Sequence, residues 1–247
     1  MKKLIFLAFL FNIFLSIQAS ASPIISGIST NEINIDTDFQ GAKILLFGAK
    51  GDAGNIAIAV RGPKKNFLVT QKEKLFGIWH NGQRLKFKDS YSYYSLFSTF
   101  NDSTSGTELI ENLELGKNNL KFITSGNATG DQRTEFQIQL IEKLEKNKLY
   151  SSGVGKVDFL DETLFKVILD FPKNITRGVY TVEIYLINDD SLISYQSIPI
   201  YVTQVGFSAK ILDFAYQESF LYGLLSVAIA LIFGWLANYL FARFIGK

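Results

Sequence analysis

Val179-Tyr180-Thr181-Val182-Glu183-Ile184-Tyr185-Leu186-Ile187, followed by Asn188-Asp189-Asp190-Ser191, is the stretch that decides the fold of this chain. β-branched and aromatic residues fill the run, and such side chains suit a pleated, half-buried surface. The Asn-Asp-Asp-Ser segment has turn chemistry, because Asn and Asp tolerate left-handed backbone and hydrogen-bond locally. Leu192–Val205 then reads as the returning strand. Upstream, strands begin from Lys156, and Leu164–Phe171 alternates partly until Pro172 ends it. Short strands at this spacing predict an antiparallel sandwich.

From Ile24 to about Phe100 the same grammar recurs. Lys43–Phe47, Asn55–Val60, Phe67–Thr70, Leu75–Trp79, Leu85–Phe87 and Tyr91–Phe97 read as strands. Asn81-Gly82, within His80–Gln83, is the strongest short hairpin signal, since both central positions of such a turn need positive φ. Between the two strand sets the period changes. Leu109, Ile110 and Leu113 stand at helical spacing before Gly116, and Thr129-Gly130-Asp131-Gln132 resembles a capping box. Phe136, Leu140, Ile141 and Leu144 form one face of the helix that follows, opposite Glu135, Gln139, Glu142 and Lys146. Gly178–Val182 has the look of a late strand of an immunoglobulin-like domain. The predicted fold class is therefore mainly β: one or two immunoglobulin-like antiparallel sandwiches, a helical middle segment, and one C-terminal transmembrane helix.

The ends of the chain carry the membrane signals. Lys2 and Lys3 precede an uncharged run, Leu4–Ile17, and Ala19-Ser20-Ala21 follows, the layout of a secretory signal peptide cleaved before Ser22. Ser219–Ala242 is apolar and uncharged, with Glu218 before it and Arg243 and Lys247 after it. At about 1.5 Å per residue it reaches roughly 36 Å, enough to span a bilayer with some tilt. All 23 acidic residues lie between Glu32 and Glu218, and 21 of the 25 basic residues share that stretch. A near-neutral body with basic membrane flanks predicts a periplasmic body and a cytoplasmic C-terminus by the positive-inside rule. The mean hydropathy, +0.15, fits an inner-membrane protein whose one span lies in the lipid bilayer. These readings divide the chain into a signal peptide (1–21), a β-rich region (22–100), a helical segment (101–150), a sandwich-like region (151–210), a transmembrane helix (219–242) and a tail (243–247).

The pieces also carry a resemblance. Ile44-Leu45-Leu46-Phe47-Gly48-Ala49, Val60-Arg61-Gly62-Pro63 and Gly77-Ile78-Trp79 contribute to it, as do Phe171-Pro172, Gly178-Val179-Tyr180 and Val182–Leu186. Its strongest part is C-terminal: Val205-Gly206-Phe207, Phe214-Ala215, Leu221-Tyr222-Gly223-Leu224 and Gly234-Trp235-Leu236-Ala237. Over nearly the whole mature chain the sequence resembles the uncharacterised alphaproteobacterial putative transmembrane protein family. The resemblance implies no catalytic residues and no cofactor, and it implies company with permeases of the sulfite-exporter type.

Candidate chemistry is sparse. The chain has no cysteine, which excludes disulfides, thiolate metal sites and a thiol nucleophile. His80 is the only histidine, so any triad or histidine metal site would have to be built around it, and its place beside Asn81-Gly82 favours turn decoration. Gly48–Gly54 has spaced glycines, but a strand follows where a phosphate loop needs a helix, so it reads as a hairpin connection. Asp158, Asp161 and Glu162, like Asp189 and Asp190, stand at strand ends where Asp favours turns. Arg61-Gly62-Pro63-Lys64-Lys65 reads as a solvated basic turn, and scattered lysines give no face for nucleic acid. Within the span, Ser226, Ala230, Gly234 and Asn238 recur every four residues, a small-residue face for contact with another helix, its own copy or a polytopic protein. The expected function is a non-enzymatic envelope-anchored binding or accessory module beside a membrane transporter. The alternatives are a periplasmic carboxylate-based hydrolase and an envelope structural or assembly factor.

Overall fold

The computed structural model describes residues 23–75, 77–100 and 108–244. The expected signal peptide and the last residues of the expected tail lie outside the described residues. In chain order the first strands are β1 (Ile24–Ile28), β2 (Glu32–Ile35), β3 (Gly41–Lys50), β4 (Asn55–Arg61), β5 (Lys64–Leu75), β6 (Ile78–Tyr91) and β7 (Tyr94–Ser98). Helix α1 (Glu108–Asn112), a 3₁₀ turn, strand β8 (Ile123–Ser125) and helix α2 (Gly130–Lys146) follow. The chain then forms β9 (Gly155–Lys156), β10 (Asp158–Phe159), β11 (Leu164–Pro172), β12 (Gly178–Asn188) and β13 (Ser191–Gln204). Two helices close it, α3 (Phe207–Gln217) and α4 (Ser219–Phe244).

Strands from both ends of the sequence share sheets. One sheet runs β1-β3-β11-β10 and a second runs β2-β13-β12-β4-β7-β9. Their facing sides meet in one core, where Ile44, Leu46, Val167 and Leu169 lie opposite Ile58, Val60, Val182 and Ile184. Phe171 stacks on Tyr93 at 5.3 Å and meets Tyr180 edge-on at 5.7 Å. Gln196 of β13 reaches across to β1, accepting from the Ser26 backbone N–H at 2.9 Å and donating to the Ser26 carbonyl at 3.0 Å. The Tyr180 hydroxyl ties the approach to β12, donating to the Thr176 carbonyl at 2.9 Å and accepting from the Thr176 N–H at 3.1 Å.

The fold-deciding stretch behaves as its chemistry requires. Asn188 pairs with Ser191, and the two residues between, Asp189 and Asp190, have φ of +45° and +61°. That is the conformation of a two-residue turn whose twist matches paired strands. Neighbouring β4 is buried on both faces, Ile56, Ile58 and Val60 toward the core and Ala57 and Ala59 toward the helical segment. The small second face leaves room for that cover.

Three expectations need correction. Asn81-Gly82 is not a hairpin turn; it lies inside β6, and the reversal sits at Gly77, φ +84°, between paired Leu75 and Ile78. Gly82 is instead a place of close approach, where an added Cβ would collide with the Glu73 side chain. The stretches expected as three short strands thus form two long ones. Second, Gly48–Gly54 is not a hairpin connection: Gly48–Lys50 end β3, and Gly51–Gly54 cross to β4 in the other sheet. Third, the sandwich-like region expected to reach residue 210 ends earlier, because Phe207–Gln217 form helix α3.

The third sheet, β5-β6-β8, grows out of the second. β5 and β6 continue the β4–β7 ribbon around a bend in which the Gly62 N–H donates to the Tyr93 carbonyl at 2.8 Å and the Ser92 N–H to the Pro63 carbonyl at 3.0 Å. A Cβ on Gly62 would come within 2.9 Å of the Tyr93 backbone nitrogen, so the bend needs glycine there. Leu85 and Phe87 are buried in this sheet, Phe87 meets Phe122 edge-on, and α2 packs against β5. α2 starts at Thr129, whose N–H donates to the Gln132 side chain at 3.0 Å, and it buries the four expected residues Phe136, Leu140, Ile141 and Leu144.

Candidate functional site

Helix α4 is apolar on every side. It offers no polar stripe, the side chains described along it are exposed, and 23 of its residues, Ser219–Phe241, are long and apolar enough to cross a membrane. Aromatic side chains mark both ends: Phe214 and Tyr222 meet edge-on at 6.1 Å, and Trp235 stacks on Tyr239 at 5.9 Å. Rings with one wet end favour the two bilayer interfaces. Tyr222 and Tyr239 are about 26 Å apart along the axis at 1.5 Å per residue, close to a hydrocarbon core.

Ser226, Ala230, Gly234 and Asn238 are all exposed on this helix. The Ser226 hydroxyl donates to the Tyr222 carbonyl at 2.8 Å, so it is satisfied within its own helix. A Cβ on Gly234 would meet nothing within 4 Å, which leaves that face open to close approach.

The helical segment is clamped to the outer face of the second sheet by a buried polar cluster. Arg61 at the end of β4 pairs with Glu183 of β12. The Tyr185 hydroxyl donates to Glu183 at 2.8 Å and accepts from Arg61 at 3.2 Å. Arg61 also donates to the Leu113 carbonyl at 2.6 Å, just after α1. The Tyr94 hydroxyl donates to the Glu114 carbonyl at 3.0 Å and accepts from the Gly116 N–H at 2.7 Å. Burial pushes the Tyr94 and Tyr185 phenols up to about 12, and the Arg61 charge partly offsets this. Bonded to two strands of the sheet and to the Leu113 and Glu114 carbonyls, the cluster positions the helical cover.

Arg61 therefore departs from the solvated basic turn expected of Arg61–Lys65, because its guanidinium is buried. The missed partner had a signal, since an acidic residue in the middle of an apolar and aromatic strand requires a cation nearby. Beside the clamp, a cleft of about 400 Å³ is lined by Ala57, Tyr94, Leu96, Leu115, Lys117 and Val154. Lys117 is paired with Glu145.

The remaining candidates stay apart. His80 is exposed and lies 3.3 Å from Glu73 across the β5–β6 ladder. Asp158, Asp161 and Glu162 are exposed at the β10–β11 connection, and Asp161 accepts from the Glu162 N–H at 2.7 Å. Among the described residues no group of His, Asp or Glu is placed to hold a metal ion.

Comparison with known proteins agrees with the membrane reading. A family described as Putative transmembrane protein (Alph_Pro_TM) matches residues 23–243. No curated protein matches the chain.

Proposed function

The chain belongs to that transmembrane family, and from this premise we propose that it is a non-enzymatic, envelope-anchored binding or accessory module beside a membrane transporter. The observation that carries the proposal is the uncharged span Ser219–Phe241 of α4, which has no polar face and is joined to a β body that has its own core. The body lies on the periplasmic side in this reading, supported by Arg243 and Lys247 directly after the span. Its sandwich is immunoglobulin-like. The strand orders, the parallel β2–β13 pair and the Tyr180 hydroxyl bonded back to Thr176 all support that architecture. Exposed edges and loops of such sandwiches serve recognition.

Affinity purification in mild detergent tests the accessory role. A polytopic membrane protein, such as a permease of the sulfite-exporter type, should copurify, and a chain recovered only alone would count against it. Mass spectrometry of the extracted protein tests export: the N-terminus should be Ser22, and retention of Met1–Ala21 would overturn the single-span topology.

A further inference from the structure

The β5–β6 hairpin sets itself apart from the rest of the body by charge. Lys64–Tyr91 holds seven basic and two acidic residues, whereas the rest of Glu32–Glu218 holds 14 basic and 21 acidic. Arg84, Lys86 and Lys88 alternate with buried Leu85 and Phe87, so the three lie on the outward face of β6. Lys72 and Lys74 are exposed further out. Strand β8 pairs only with Lys86–Lys88, so the distal part of the hairpin is a two-stranded ribbon.

The end of this basic ribbon is apolar. Ile78 and Trp79 follow the reversal at Gly77 and are 73% and 66% exposed. An isolated two-stranded hairpin is marginal in water, and an aromatic tip exposed to solvent gains nothing there. Tryptophan with cations behind it matches a membrane interface: the ring sits at headgroup level while ammonium groups meet lipid phosphates.

We propose that the β5–β6 hairpin is a second membrane contact, its Ile78–Trp79 tip entering the interfacial zone of an anionic bilayer and its basic residues engaging the headgroups. Penetration stops at that depth, because the ribbon's open edges carry backbone groups that hydrocarbon cannot satisfy. The inference rests on α4 anchoring the chain, which holds a bilayer at high effective concentration near the body. Carbonate extraction of the same samples reads that premise separately.

The test uses the full chain with Trp235→Phe, leaving Trp79 as the sole tryptophan. It is reconstituted into vesicles of phosphatidylcholine, or of phosphatidylcholine and phosphatidylglycerol in equal parts, each doped with lipid brominated near the glycerol backbone. Trp79 emission should be blue-shifted and quenched by bromine in the anionic vesicles, and salt should reverse both changes. Lys72→Glu/Lys74→Glu should reduce quenching several-fold, since each basic group near the surface adds to lipid attraction. The salt response of the chain carrying only Trp235→Phe keeps the test valid should that variant fold poorly. Hydrated, unquenched emission in both vesicle types would overturn the proposal, as would equal quenching in both. A photocrosslinker at position 79 that captures protein rather than lipid in cells would overturn it in favour of a protein partner.

Discussion

Glu183 stands among Val182, Ile184 and Tyr185, and Arg61 meets it from the next strand with the Tyr185 hydroxyl between them. Breaking a buried pair from one side leaves an uncompensated charge, whereas replacing both members removes the problem. Arg61→Leu should therefore destabilise the body by about 3 kcal/mol, and Arg61→Leu/Glu183→Leu should recover part of that in a denaturant titration. Tyrosines give the body a second signature. Burial pushes Tyr94, Tyr180 and Tyr185 up to about 12. A phenol whose folded pKa lies above its unfolded value near 10 stabilises the fold fully below about pH 10, and that contribution disappears as pH rises toward about 12. Near-ultraviolet circular dichroism should thus lose its tertiary signal between about pH 10 and 12 and stay constant through the neutral range. At this scale the sequence was legible where one residue has one role, as with Asp189 and Asp190 in their turn. It was opaque where a role needs a partner 122 positions away, as with Arg61 and Glu183.

Among the elements, the helix α2 was readable because capping and periodicity agree over many residues, and its four expected core positions are buried. The β5–β6 hairpin was not, because two glycines competed for one turn. Asn81-Gly82 has the stronger local preference, yet pairing Glu73 with His80 and Lys72 with Asn81 keeps it within the ladder and moves the reversal to Gly77. Ladder register outweighed turn propensity. Helix α3 escaped notice because it is short and lies between a strand and a far stronger apolar signal. For α4 the element-level prediction concerns association. Gly234 has open space around its would-be Cβ, so isoleucine fits the lone helix and any effect of Gly234→Ile reports on a neighbour. Gly234→Ile should weaken association several-fold without impairing insertion, while Leu231→Ile should change nothing, in a membrane two-hybrid or crosslinking assay. Equal signals for both variants would leave α4 a plain anchor.

At the scale of the molecule, sequence order concealed how the two strand sets combine. β3 pairs with β11 and β4 with β12, contacts whose partners are more than a hundred residues apart, so no local pattern could have chosen between one sandwich and two. Pairing between the sets makes a single core, in which β7 belongs to the second sheet, and leaves the β5-β6-β8 sheet and the helical segment as additions on its flank. This bears on what the anchor contributes to folding. The buried apolar side chains run from Ile24 to Val202, and among the described residues none belongs to α3 or α4. The final helix therefore adds attachment and leaves the core unchanged. Truncation after Glu218 should release a folded body from the membrane, with a thermal midpoint close to that of the full chain and the same tyrosine titration. Release need not be complete at low salt, because the basic β5–β6 hairpin still binds anionic lipid, and a salt wash should free that remainder. A truncated body that resists both salt and carbonate would mean that a second segment is embedded and that α4 is not the sole anchor.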